Sequence, residues 1–298
     1  MVLSPISGKV ARRVESFSTS EIIDGYKNNF DIEVGAFFQG VEEIALYECE
    51  ESSYQFYHPS TVAGDSMFYE HLEKFDWYYM PWKWEHIYAY GEIESKQKVL
   101  EIGCGNGGFL KKVTKLNESI DLTGLEFNST AVVTLNNEGY KVFEESIERF
   151  SVSRSNNFDV VCAFQVLEHI YDVDPFLNSC LKVLKPGGKL IFSVPNNDSF
   201  IKYGDGGLLN FPPHHMGRWK GKSLKKLTNF YPIEVRGIEY EPLQEYHLEW
   251  YLNLIQVPFG PIKKVLFNRF TLPAIRKVLR RIRWYVPGHS VLAVYQKL

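Results

Sequence analysis

The stretch VLEIGCGNGGFL, residues 99–110, constrains the fold more than any other part of the chain. A short apolar run at 98–102 ends in glycines 103, 105, 107 and 108, and a helical pattern begins at 109. Residues without a Cβ let the backbone turn tightly and approach a bound group, and the helix that follows turns its first amides toward that group. Further apolar strands at 122–127, 141–143, 158–164 and 189–194 alternate with helical stretches near 130–137 and 175–184. This alternation predicts an α/β fold with a doubly wound parallel sheet, whose ligand sits beyond the carboxyl ends of the strands. Two more strands, 233–240 and 290–296, flank a helical insertion at about 243–286.

Ahead of this core, residues 1–94 read as a polar arm, a hairpin at 44–58 and an aromatic helical cap at 66–94. The cap carries Phe68, Tyr69, Phe75, Trp77, Tyr78, Tyr79, Trp82, Trp84, Tyr88 and Tyr90, expected to pack on the core domain, 95–298. A hydrophobic fraction of 45% with 23% charged residues excludes general disorder, and a net charge of −3 excludes a nucleic-acid binder held by bulk charge. Charge is nevertheless divided. Residues 250–298 hold nine Lys or Arg and no acid, whereas the first 249 residues hold 24 basic and 36 acidic side chains. A local anionic partner is expected for the basic end. The four cysteines, Cys49, Cys104, Cys162 and Cys180, form no Cys-x-x-Cys pair, which suits a reducing cytoplasm. No apolar h-region opens the chain and no apolar run reaches the ~18 residues of a membrane span, so a soluble or at most peripheral protein is expected.

Glu101 and Glu126 stand at the ends of the first two core strands. A carboxylate at the second position can accept hydrogen bonds from both hydroxyls of a ribose. Gly103, Gly105 and Gly108 also match the dinucleotide pattern G-x-G-x-x-G, which leaves a nicotinamide oxidoreductase as an alternative. Glu101, two residues before the first glycine, would repel a diphosphate and would favour a cofactor bearing a sulfonium and an ammonium.

Several motifs, taken in order, resemble the class I S-adenosylmethionine-dependent methyltransferases. Glu101, Gly103, Gly105 and Gly107 resemble motif I, LTGLEFN resembles the ribose-acid strand, FDVVCAFQVLEHI the fourth strand, LKPGGKLIFSVPN the fifth and GHSVLAVYQK the last. The resemblance implies a seven-stranded Rossmann-like sheet whose last strand is antiparallel. It implies that Gly103, Gly105 and Gly107 approach the methionine part of S-adenosylmethionine, that Glu101 meets its amino group and that Glu126 holds the ribose. By the same likeness Ser146 and Ile147 would contact adenine, and Phe164 and Gln165 would lie beside the cofactor.

Methyl transfer to oxygen needs alignment and a proton acceptor. His169 follows the fourth strand, and His214 and His215 lie in the stiff loop NFPPHHMGRW; these three are the candidate bases, with Arg218 and Trp219 as contacts for an anionic group and a ring of the acceptor. Related quinone-biosynthesis and sugar O-methyltransferases resemble the Glu168-His169 segment, and some place a metal on Glu-x-x-Glu-His. Here the first of those positions is Gln165, and no metal is expected. The hairpin around Cys49 is similar to a zinc knuckle found ahead of some sugar methyltransferases, but Ser52 replaces the partner thiol, so no zinc is expected either.

Ile275, Val278, Leu279 and Ile282 share one helical face, and Arg276, Lys277, Arg280, Arg281 and Arg283 fill the other. Such a helix suits contact with an anionic membrane surface or a diphosphate-linked glycan. The sequence therefore reads as a methyltransferase, cytoplasmic or peripheral to the inner membrane face. It is similar in layout to bacterial polysaccharide-biosynthesis enzymes, with O-methylation of a sugar hydroxyl as the expected reaction. Methylation of a small aromatic or quinone precursor is the alternative.

Overall fold

A computed structural model of the protein describes residues 1–75, 80–204 and 207–298. Trp77, Tyr78 and Tyr79, counted above in the aromatic cap, lie outside the described residues.

Eleven strands form two sheets among the described residues: β1 (Arg12–Ser18), β2 (Glu43–Glu48), β3 (Gln55–His58), β4 (Lys98–Ile102), β5 (Asp121–Leu125), β6 (Lys141–Phe143), β7 (Phe158–Phe164), β8 (Leu184–Pro195), β9 (Gly217–Arg218), β10 (Ile233–Pro242) and β11 (Pro287–Lys297). The larger sheet runs β10-β11-β8-β7-β4-β5-β6. Strands β4 to β8 pair in parallel, and β11 is antiparallel to both its neighbours. This is the expected seven-stranded α/β sheet with its reversed last strand. Alternation along the strands divides the core between its two faces. Leu100, Val161, Phe192 and Ala293 enter one cluster, while Val99, Val160, Ile191 and Leu292 enter the other.

The smaller sheet joins distant parts of the chain. Strands β2 and β3 are the expected hairpin, but β1 pairs with β2 and β9 pairs with β3. Strand β9 comes from the loop after β8, so the N-terminal sheet reaches over the end of the central one. Residues read from sequence as a polar arm form β1 and a helix, Thr19–Phe30, with Tyr26 wholly buried. The helical stretch of the cap is divided into Ser66–Leu72 and Trp84–Gly91.

This sheet corrects the expectation for Trp219 and Arg218. Trp219 is fully buried, stacks 4.2 Å from Tyr54 and donates from Nε1 to the carbonyl of Leu167 at 3.3 Å. Arg218 is buried with its guanidinium over the rings of Phe17, Tyr57 and Phe211. Neither lines the large cavity described below. Pairing of β9 with β3 packs Arg218 against the Phe17, Tyr57 and Phe211 side, and the next residue, Trp219, packs the opposite way into the core cluster with Tyr54 and Leu167. Trp219→Ala is therefore expected to destabilise the fold by about 3–5 kcal/mol, the cost of an emptied core site. A urea-denaturation midpoint equal to that of the wild type would refute this placement.

Candidate active site

A cavity of about 990 Å³ opens at the carboxyl ends of the parallel strands. Its first end is built by the turn after β4. Gly103 and Gly107 adopt left-handed backbone angles, φ +70° and +79°, and a Cβ on either would come within 2.6 Å and 2.5 Å of Val166 and Leu135. Glycine at both is thus a steric demand of the turn. Glu101, at the end of β4, is buried, and its Oε2 has no hydrogen-bond partner among the described residues. Burial, with Glu126 nearby, holds its carboxyl well above the usual range. Glu126 lies just beyond β5. Its Oε2 accepts from the amide of Gly105 at 2.7 Å and its Oε1 from those of Phe127 and Asn128 at 2.7 and 3.0 Å. Phe164 and Gln165 complete this wall, with Gln165 Nε2 donating to Ser193 Oγ at 3.0 Å.

Ser146 and Ile147 are not in that wall. Ser146 Oγ accepts from Arg149 as the cap of a short helix, and Ile147 is buried in the core. The lining on this side comes instead from Glu144 and the exposed ring of Phe127. A turn read from sequence alone carries no signal for which of its residues faces inward.

The other end of the cavity is lined with imidazoles. His169, His214 and His215 form one group, with ring centroids 4.4–4.9 Å apart. The carbonyl of Glu168 positions them by accepting from the amides of Met216 and Gly217 at 2.8 and 2.9 Å, which pins the histidine loop under β7. Each ring has its Nδ1 on an oxygen: His169 on the carbonyl of His214 at 2.7 Å, His214 on that of Leu209 at 2.9 Å, and His215 on Asn210 Oδ1 at 3.3 Å. An acceptor at Nδ1 fixes the N–H there and leaves the lone pair on Nε2. Their ligating nitrogens lie within 4.8 Å of one another, the arrangement a divalent metal would need. Zn–N bonds of about 2.1 Å place tetrahedral ligands about 3.4 Å apart, so modest side-chain closure would suffice. The three histidines could therefore hold a metal ion, at a place where no metal was expected from sequence.

Sequence reasoning missed a third group. His86, Glu85, Glu241, His247 and His289 line the cavity too, drawn from the helix Trp84–Gly91 and from segments flanking the insertion. None belongs to a local motif; burial of a charged side chain becomes visible only in three dimensions. Burial pushes the six cavity histidines down: to about 4 for His86, His169 and His247, to about 3 for His289, and well below the usual value for His214 and His215. Burial pushes Glu168 up to about 8 and Glu241 to about 7. Burial thus holds the cavity histidines and Glu168 neutral at pH 7, while Lys83, Glu85 and Glu126 line the same pocket.

Comparison with known proteins agrees with this geometry. A family model described as a methyltransferase domain matches residues 77–235. The ubiquinone biosynthesis O-methyltransferase of Nitrosococcus oceani is 27% identical over 202 residues, covering 62% of this chain and 84% of that protein. The protein of the same name from Pectobacterium atrosepticum is 30% identical over 109 residues, and the chain spans only 44% of its length. Among solved structures, a chain of the complex between the Haloferax volcanii Trm112 methyltransferase activator and a methyltransferase aligns with a TM-score of 0.50 at 13% identity, covering 72% of this chain and 89% of that one. That likeness is one of fold.

The buried histidines carry a pH prediction. Their folded pKa values lie below the ordinary 6.5, so the unfolded chain takes up protons first as pH falls. Their contribution is present above about pH 6.5 and is lost toward pH 4. The buried acids act in the opposite sense, their contribution fading as pH rises from about 4.5. Six imidazoles outnumber the three carboxyls of Glu101, Glu168 and Glu241. The melting temperature is therefore expected to fall by at least ~5 °C from pH 7 to pH 5; a flat profile by scanning calorimetry would contradict the neutral-imidazole cavity.

Proposed function

The chain belongs to the methyltransferase-domain family, and from that premise we propose that it methylates a hydroxyl of a small aromatic, quinone-type acceptor. The enzyme uses S-adenosylmethionine, which supplies an electrophilic methyl group on a sulfonium. Family membership replaces the nicotinamide alternative. The residues present suit this cofactor: the unpartnered buried oxygen of Glu101 offers an acceptor to an ammonium, Glu126 offers a carboxylate to the ribose, and the glycine turn leaves room for backbone approach. A diphosphate would meet two carboxylates at the same place.

The observation that carries the acceptor reading is the imidazole group at the far end of the same cavity. Bound S-adenosylmethionine would supply the methyl group to the acceptor oxygen and leave as the thioether, and an imidazole Nε2 would take the hydroxyl proton. His169 is the best placed of the three, being only partly buried where His214 and His215 are nearly closed off. Phe109, Phe164, Tyr69 and Trp250 give the cavity flat walls suited to a ring. Two findings favour the aromatic acceptor over the sugar expected from sequence. The named relatives are ubiquinone biosynthesis O-methyltransferases, and the side chains assigned to a sugar, Arg218 and Trp219, lie outside the cavity. A second reading, in which the same three nitrogens hold a divalent metal that binds the acceptor oxygen, is favoured by their mutual approach.

Four measurements test this. Glu126→Ala is expected to weaken S-adenosylhomocysteine binding at least ~10-fold by calorimetry, the value of charge-assisted hydrogen bonds lost; an unchanged Kd would overturn the cofactor placement. Turnover is expected on dihydroxybenzoates and not on nucleotide sugars, and the reverse preference would restore the glycan reading. With His169 acting as the base, the acid limb of kcat should lie below about pH 5, because burial holds its pKa to about 4. Full turnover after chelator treatment assigns the histidines to proton transfer, whereas loss restored by Zn²⁺ or Mn²⁺ assigns them to a metal.

A further inference from the structure

The insertion between β10 and β11 has two unlike sides. Its inner side packs on the body: Leu279 and Ile275 join Phe200, Ile201, Leu248 and Leu252 in one cluster. The helix Leu248–Ile255 in the same insertion contributes Trp250 to the cavity wall. Its outer side is apolar and basic together. Ile262, Val265, Phe270, Trp284 and Tyr285 are 61–89% exposed. Lys263, Lys264, Lys277 and Arg281 stand among them and make no ion pair with a described residue. Two arginines of the basic helical face are held by acids of the same insertion: Arg276 bonds Glu249 at 2.7 and 2.8 Å, and Arg280 bonds Glu245 at 2.7 Å. That pairing turns the helix Thr271–Ile282 so that Lys277, Val278 and Arg281 face away from the body.

We propose that this outer side docks on an anionic lipid bilayer, with the insertion serving as both the wall of the cavity and the foot of the protein. Exposed apolar patches of this kind are uncommon on soluble proteins and mark interaction surfaces. The chemistry here selects lipid. Trp and Tyr rings beside Lys and Arg suit the boundary between headgroups and acyl chains, where the rings insert and the cations meet phosphate. A second copy of the chain would oppose like charges across a symmetric contact, because residues 250–298 contain no acid. The described helices include none long and apolar enough to cross a membrane, so the contact is peripheral. This inference does not depend on the acceptor assigned above.

Co-sedimentation of the full chain with vesicles decides it. The protein should pellet with phosphatidylcholine vesicles containing phosphatidylglycerol, pellet poorly with phosphatidylcholine alone, and be released by added salt. Two variants should each lower the partition coefficient at least ~10-fold: the charge variant Lys263→Gln/Lys264→Gln/Lys277→Gln/Arg281→Gln and the apolar variant Phe270→Ser/Trp284→Ser/Tyr285→Ser. Affinity for S-adenosylhomocysteine, measured on the same preparations, should equal that of the wild type and so report intact folding. If the apolar variant loses it, the charge variant alone decides. No binding to anionic vesicles, equal binding by wild type and charge variant, or a wild-type dimer in light scattering that the variants dissociate would each overturn the proposal. Wild-type protein that pelleted with vesicles but bound no S-adenosylhomocysteine would instead remove the methyl-transfer reading and leave this one standing.

Discussion

One carbonyl oxygen organises the reactive end of this protein. Glu168 follows the central strand β7, and its backbone oxygen takes the amides of both Met216 and Gly217. That bifurcated contact joins the amide of Gly64 on Pro213 and of Tyr57 on Met216 in fixing the loop over the mouth of the sheet. Through β9 it also ties the N-terminal sheet to the core. A buried peptide amide without a partner is costly, so two such groups meeting one acceptor leave the loop few alternatives. The histidine positions follow from it. His214 and His215 immediately precede the pinned amides, and His169 immediately follows the pinning residue.

The cavity joins two electrostatic styles. At the cofactor end, acids are gathered near backbone amides, a setting in which a cation replaces missing hydrogen-bond partners. At the acceptor end, burial holds the imidazoles neutral and the Glu168 carboxyl protonated. A cationic donor and a neutral acceptor thus meet beside imidazoles that burial keeps neutral. In low dielectric such a junction favours a displacement that disperses charge.

How much of this was legible in the sequence depended on distance along the chain. The cofactor end is local: Glu101, Gly103, Gly107 and Glu126 occupy strand ends and one turn, and the apolar runs around them dictate the placement. The histidines were legible by type, because a proline-stiffened loop with paired imidazoles stands out. Their convergence was not, since it rests on hydrogen bonds 45 residues apart between His169 and His214. Arg218 and Trp219 misled for the same reason. An aromatic residue beside a cation looks like a ligand contact until a strand more than 150 residues earlier covers it. Glu85, Glu241 and His289 had no local signature and entered the site only through the packing of three separate elements.

Strand β11 occupies an interior slot, between β10 and β8, although it is the last strand of the sheet in chain order. It also brings His289 and Ser290 to the cavity. Both β8 and β10 precede it in the chain, and the facing edges of those two strands find their partner only in β11. Closure of the sheet and completion of the pocket therefore both require this one strand, and strand edges left unpaired are the places where sheets mispair.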